Sequence, residues 1–427
     1  MSDSDIVAHP PSPTDWKVIG LVGVAHSSSH FFQLVIPLLY LPLVSTFQLD
    51  FARFGLLISA FYIVSGIGQA SSGFVVDRVG GCRVLWFGLA CFVVSALTLA
   101  LAQNYAMLMT AAVLGGIGNS IFHPADFSIL NHRVSPRRLG HAFSTHGLSG
   151  SLGWAAAPVF ITSLSLMVGW RNAMLAVATL VSAILVACIV WRRYLEVAVA
   201  PMVGSGQPPT SNAGKPRAAP QSFADTLRTL AASPALWGAF AFFALTSVAL
   251  SAIQNYTLPV LNSLYQMTEV VASSALSSYM LASAAGMFMG GFVASATPRS
   301  ERVVAAAYLL AGAVLMTLAS GVLPGGIALP VLAVAGFCTG VAGPSRDMLI
   351  RGVTPKGSMG SVYGLVYSGM DVGAALAPVI FGLMLDAGLT SGPWMGAAAA
   401  MWLATLTATL IGWLGRRTAA ARAAAAA

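Results

Sequence analysis

Twelve runs of apolar residues, each long enough to cross the roughly 30 Å hydrocarbon core of a bilayer as a helix, follow one another through the 427-residue chain. This feature limits the fold more than any other. In hydrocarbon every backbone N–H and C=O must find its partner within the protein, and helices are what such runs form. The predicted spans include 18 to 47, 54 to 76, 106 to 131, 140 to 168 and 358 to 385. Only 8% of residues are charged and 57% are hydrophobic, against roughly 25% charged in an average soluble domain. No soluble core hides that much apolar surface, so a bilayer is the expected solvent. The spans are rich in Gly and Ala, which lets helix backbones approach closely.

The net charge of +8 would suit a nucleic-acid binder, but its distribution does not. With the N-terminus placed in the cytoplasm, nineteen Lys and Arg residues fall on that side or on helix ends facing it, and only Arg53 and Arg171 fall opposite. This positive-inside bias predicts a multi-pass protein of the inner (plasma) membrane with both termini cytoplasmic. No nucleic acid is expected as a partner. The first sixteen residues are polar and carry Asp3, Asp5 and Asp15, unlike a cleaved signal peptide. Cys82, Cys91, Cys188 and Cys338 lack the spacing of a metal or disulfide framework and read as buried bystanders.

Residues 194 to 232 form the one long hydrophilic interruption, with five prolines among Gly, Ser, Gln and Lys. The predicted organisation is a tail (1–17), a six-helix bundle (18–193), a flexible cytoplasmic linker (194–232), a second six-helix bundle (233–415) and a second tail (416–427). The bundles repeat each other. A shift of 220 residues lays Gly153, Ala155, Ala157, Pro158 and Val159 on Gly373, Ala375, Ala377, Pro378 and Val379, and also matches Gly116 to Gly336, Pro124 to Pro344 and Gly140 to Gly360. A shift of 218 lays Gly73-Phe-Val on Gly291-Phe-Val. Parallel repeats of this kind place a transport site near the midplane between two halves.

The loop after the second span reads Gly73-Phe-Val-Val-Asp77-Arg78-Val-Gly80-Gly81-Cys82-Arg83. It resembles the Gly-x-x-x-Asp-Arg-x-Gly-Arg-Arg signature of the major facilitator superfamily, with Gly81 and Cys82 in place of the usual basic pair and Arg83 standing close by. The resemblance implies an all-α fold of twelve transmembrane helices in two pseudo-symmetric bundles. It also implies a gating role for Asp77 and Arg78 within the motif formed by Gly73, Gly80 and Arg83. The second half has Thr297-Pro298-Arg299-Ser300 instead. Ala25-His26, Phe31-Phe32-Gln33, the stretch Gly118 to Asp126 and the motif Gly150 to Pro158 are similar to the fosmidomycin resistance branch, described as efflux proteins. That branch commonly has Glu directly after His-Pro; here Ala125 intervenes before Asp126, which rotates the acid about 100° around a helix.

Ionisable groups inside a membrane are costly and therefore candidates for function. His26, His30 and Gln33 share one helix face, expected to point into a central cavity and to touch substrate or handle protons. Hydrogen-bonded packing is the competing reading. A metal site is not expected, because no carboxylate or Cys lies near His26 and His30 in sequence to complete it. Asn119, His123 and Asp126 form a second stripe, with Pro124 expected to bend the helix, and His146 is a further cavity candidate. The repeat places Asp126 opposite Arg346, and a pair between them at the cytoplasmic end is slightly favoured over Arg346 binding an anionic substrate. Asp371 is the most isolated acid, with Tyr363 and Tyr367 on its face. A carboxyl removed from water holds a proton more readily, as coupling requires, although packing against Ser368 is the alternative. Gln254 and Asn255 add polar groups to the cavity.

These residues predict a proton-driven secondary transporter, exporting a small organic or anionic compound and working as a monomer without a cofactor. No nucleotide-binding Gly-x-x-x-x-Gly-Lys-Ser/Thr loop is present. Proton-coupled uptake of an organic acid is the nearest rival. An intramembrane metalloenzyme built on histidines and a sensor that has lost transport stand further off; no enzymatic activity is expected.

Overall fold

The computed structural model describes residues 13–197, 234–297, 299–353 and 359–426; the side chains of a number of helical residues, chiefly in 350–367 and 418–426 and with Tyr363 and Tyr367 among them, and most of the linker lie outside that description. Among the described residues every regular element is helical. The first helix, α1, runs in three pieces, Pro13–Gln33, Val35–Leu38 and Tyr40–Phe47. Next come α2 (Phe51–Val79), α3 (Gly81–Ala100), α4 in two pieces (Tyr105–Asn119 and Phe122–Arg133), α5 (Leu139–Val168) and α6 (Trp170–Val190). The second half holds α7 (Pro234–Tyr265), α8 (Glu269–Ala296), α9 (Ser300–Ala319), α10 (Gly325–Val353), α11 (Met359–Asp386) and α12 (Gly392–Ala426).

Eleven of these are long and apolar enough to cross a membrane. The segmented α1 is the twelfth member. The continuous span expected over 18 to 47 is corrected here, and proline chemistry gives the reason. Pro37 and Pro42 lie three residues beyond the breaks at Leu34 and Leu39, because a proline has no N–H for the carbonyl four residues earlier and its ring crowds that carbonyl. Pro124 does the same to α4 at Ile121. The carbonyl it strands, that of Ser120, accepts a hydrogen bond from Ser72 Oγ of α2 at 3.1 Å instead.

Within the first half α1 packs on α5, α2 on α4, and α3 on α4 and α6; within the second, α7 packs on α11 and α12, α8 on α10, and α9 on α10 and α12. The repeat is visible at atomic level. A Cβ at Gly153 of α5 would collide with the Ser27 carbonyl of α1, and one at Gly373 of α11 with the Ala244 carbonyl of α7. Gly116 of α4 meets the Phe61 carbonyl of α2, and Gly336 of α10 meets the Tyr279 carbonyl of α8. The glycines are related by the shift of 220, and Phe61 and Tyr279 by the shift of 218.

The halves meet along α2 with α11 and α5 with α8. Ser277 Oγ donates to the Ala155 carbonyl at 2.8 Å, and Gly55 and Gly382 admit Pro378 and Phe51 backbone. At the end of the molecule away from Pro13, Asp386 closes α11 by accepting Phe51 N–H and Ala52 N–H, both at 2.8 Å. A carboxylate from one half thus caps the exposed N-terminus of α2 in the other, where the helix dipole favours negative charge. Large apolar side chains such as Phe74, Phe288 and Leu406 point outward, as a lipid-facing surface requires. The chain is a multi-pass membrane protein.

Candidate functional site

Between the halves lies a cavity of about 860 Å³. The first half contributes His30, Gln33, Asn119, His123 and Trp154, among others; the second contributes Ser247, Gln254, Arg346 and Asp371, among others. His30 occupies the space left by the missing side chain of Gly150, a Cβ there standing 2.8 Å from its ring, and its ring lies 4.2 Å from that of Trp154. The breaks in α1 and α4 come just beyond Gln33 and Asn119, so both amides stand at the ends of helix segments. Asn119 Oδ1 accepts from Ser29 Oγ at 2.8 Å and from Gln33 Nε2 at 3.2 Å, while its Nδ2 donates to Ser65 Oγ at 2.8 Å. Trp154 Nε1 donates to Gln33 Oε1 at 2.9 Å. This chain of side chains fixes the amide orientations and ties α1, α2, α4 and α5 into one polar wall. Two buried polar atoms of cavity-lining residues, His30 Nδ1 and Gln254 Nε2, have no partner in the protein, so a bound molecule would find unspent hydrogen-bonding capacity there.

Behind this wall Asp126 is fully buried. Its Oδ2 stands 3.0 Å from His26 Nδ1 and 3.1 Å from His146 Nε2, and the two imidazoles stack at 3.5 Å. With an ionised carboxylate as acceptor, this geometry puts the proton of His26 on Nδ1 and that of His146 on Nε2. His123 ring packs 5.2 Å from His26 and 5.8 Å from His146.

Several expectations change here. Asp126 meets histidines, and the structure pairs Arg346 Nε with the neighbouring Asp347 at 2.8 Å, so the expected pair between Asp126 and Arg346 is corrected. The repeat register equates positions in the two halves, and equivalence does not bring them together. His26 and His146 are buried behind the cavity rather than lining it. Asn255 is likewise buried, donating from Nδ2 to Ser251 Oγ at 2.8 Å. The carboxylate that seemed missing beside His26 and His30 arrives from α4, 100 residues away. Tyr367 lies outside the described side chains.

Asp371 reaches the cavity from α11, with its Cβ 3.0 Å from where a Cβ at Gly66 of α2 would stand, at the seam between the halves. In the loop motif, Asp77, Arg78 and Arg83 are exposed, Gly80 has a positive φ of 92° that joins α2 to α3, and a Cβ at Gly73 would meet nothing within 4 Å. Sequence reasoning missed Tyr62, Ser65, Gln69, Trp154, Ser247 and Ser251 of the cavity wall. Serines and tyrosines do not stand out in apolar helices, but Trp154 is the one large aromatic in the small-residue stretch from Gly150 to Pro158 and carries a readable signal.

The chain matches the sequence model of the Major Facilitator Superfamily over residues 22–378. It is 30% identical to the fosmidomycin resistance protein of Escherichia coli over 178 residues, which span 42% of this chain and 42% of that protein. A protein of Escherichia coli named "Probable L-galactonate transporter" is 22% identical over 351 residues, 79% of this chain and 76% of the relative. Among solved structures, a bacterial homologue of the human lysosomal transporter Spinster, in an inward-facing and unoccupied conformation, shares the fold with a TM-score of 0.71 at 16% identity, covering 96% of this chain and 98% of that one. Two six-helix halves closing on one cavity are the architecture that this sequence match leads one to look for, and the chain belongs to the Major Facilitator Superfamily.

Proposed function

We propose that the protein is a proton-coupled secondary transporter that exports a small organic or anionic compound by alternating access, the halves rocking about the cavity between them. The observation that carries this reading is Asp371. It is an acid from the second half, in the wall of a cavity to which the first half contributes a hydrogen-bonded polar network. An intramembrane carboxyl at a moving seam changes its surroundings as the halves rock, so proton binding and conformation are linked. His30, Gln33, Trp154 and Gln254 bind the substrate, and Arg346 favours one with negative charge. The loop bearing Asp77 and Arg78 acts in gating. The protein works as a monomer in the inner membrane, with both termini in the cytoplasm and no cofactor for transport; the charge distribution supports that orientation.

Partial similarity to a fosmidomycin resistance protein supports export. Uptake of an organic acid is the second reading, favoured by the longer match to the L-galactonate transporter relative. Membership in a transporter superfamily leaves the metalloenzyme reading without support. Proteoliposomes with an imposed pH gradient separate export from uptake. Antiport requires substrate to move against the direction of proton entry. Accumulation inside right-side-out vesicles with acid outside defeats the export reading, and flux indifferent to the gradient defeats proton coupling altogether.

A further inference from the structure

His26, His123 and His146 come from α1, α4 and α5, and each offers a ring nitrogen such that these atoms all lie within 4.8 Å of one another. Asp126 stands beside two of them, its Oδ2 3.0 Å from His26 Nδ1 and 3.1 Å from His146 Nε2. Its other oxygen, Oδ1, is buried without a hydrogen-bond partner. A carboxylate buried away from water is costly, and a cation beside it offsets that cost.

We propose that His26, His123, His146 and Asp126 form a binding site for a divalent transition-metal ion of the zinc class. Three imidazoles and one carboxylate are a ligand set that a four-coordinate zinc ion takes, and they suit zinc better than the oxygen-preferring magnesium or calcium. Ligand atoms around a tetrahedral ion with bonds of about 2.0–2.1 Å stand roughly 3.3 Å apart. The His26 and His146 nitrogens already stand close to that distance from Asp126, and the ion takes the place of the protons between them. The wider nitrogen separations, up to 4.8 Å, close by a turn of a side chain. His123 is the natural one to move, because it also lines the cavity and so gives the ion its entry path. His26 comes from α1, His123 and Asp126 from the second piece of α4 and His146 from α5, so the bound ion pins α1, α4 and α5 together. The proposal is independent of proton coupling at Asp371, which belongs to the other half.

The test uses the full chain without a histidine tag, purified in detergent, stripped by a chelator and dialysed against Zn2+ alone, with bound metal counted by mass spectrometry. One Zn2+ per chain is expected. His123→Gln weakens binding by about tenfold or more, and replacement of the exposed His132 and His141 by Gln leaves it unchanged. Each variant's melting temperature without metal shows whether it folds, and Zn2+ raises the melting temperature of the wild type but not of folded His123→Gln. Co2+ in place of Zn2+ gives the visible absorption of a tetrahedral site only where the three histidines are intact. Less than one zinc per chain, as an Asp126 that shares only protons with its histidines would give, overturns the proposal. So does zinc held equally by folded His123→Gln. Zinc-free protein with pH-driven flux intact refutes the site and spares the transport reading; a zinc-loaded chain that transports nothing under any gradient does the reverse.

Discussion

Asp126 and Arg346 hold equivalent positions in the two halves, related by the shift of 220 residues, and each faces a ring from the first helix of its own half. Asp126 bonds to His26; the Arg346 guanidinium lies over Phe243, 5.3 Å from the ring centre. The backbone contacts at Gly153 and Gly373 make His26 and Phe243 equivalent too, each standing one residue before the carbonyl that the glycine admits. His146 corresponds to Val366, and both are buried. The backbone framework is thus repeated while the chemistry on it is not. One half buries a carboxylate among imidazoles behind the cavity; the other extends a guanidinium over a phenyl ring into the cavity wall.

This contrast breaks first under substitution of its two charged members. Asp126→Leu strips the buried histidines of their acceptor and is expected to destabilise the protein by about 2–5 kcal/mol, from two buried N–H donors left unpaired. Arg346→Leu removes a group whose side chain is 24% exposed and should cost about 1 kcal/mol or less, while weakening binding of an anionic substrate. Thermal melting of the two variants side by side checks this. Equal losses would mean that the halves do not differ in what they bury.

The repeated framework predicts the opposite pattern, equality. Gly153→Val and Gly373→Val each force two backbones apart and should lower stability by a similar amount, about 1–3 kcal/mol. Gly147→Val, at a position where an added Cβ meets nothing within 4 Å, should leave the packing alone and cost only the change in helix propensity. A large asymmetry between the first two would show that the glycine contacts are not equivalent in energy.

The halves are also joined unequally. Asp386→Ala removes the carboxylate that caps α2 from across the interface, and a cap of this kind is worth about 1–2 kcal/mol. Cysteines introduced at this end of the molecule should become about tenfold more reactive in the variant as the conformers that open this end gain population. Unchanged labelling would show that Asp386 does not hold the halves together. A small effect is expected at Ser72→Ala, which leaves the Ser120 carbonyl without its donor and should cost about 1 kcal/mol in melting experiments.

The legible and illegible parts of the molecule divide along physical lines. Run length announces a membrane helix because a bilayer has a fixed thickness, and the matched Gly and Pro positions announce the repeat because backbone contact tolerates no side chain. Pro124 announces the break in α4. By contrast, the meeting of His26, Asp126 and His146 depends on how three helices rotate about their axes, and no spacing within one helix encodes that. Spacing along the chain puts no carboxylate near His26 and His30; the fold brings Asp126 and His146 to His26 and leaves His30 on the cavity. The displacement of the acid from directly after His-Pro to Asp126 also becomes intelligible, since at 126 it turns toward His26 and His146 rather than into the cavity. Asp371 was legible through isolation alone, whereas its place against Gly66 follows from the packing of α2 on α11.

In the proposed mechanism the second half supplies the proton carrier for a cavity whose polar wall belongs mostly to the first. Its most direct test is Asp371→Asn in proteoliposomes, with counterflow of substrate and pH-driven flux measured on the same preparation. Counterflow should survive, because the binding wall of His30, Gln33 and Trp154 is untouched, and pH-driven accumulation should fall to background. Accumulation at the wild-type level in that variant would remove Asp371 from the mechanism.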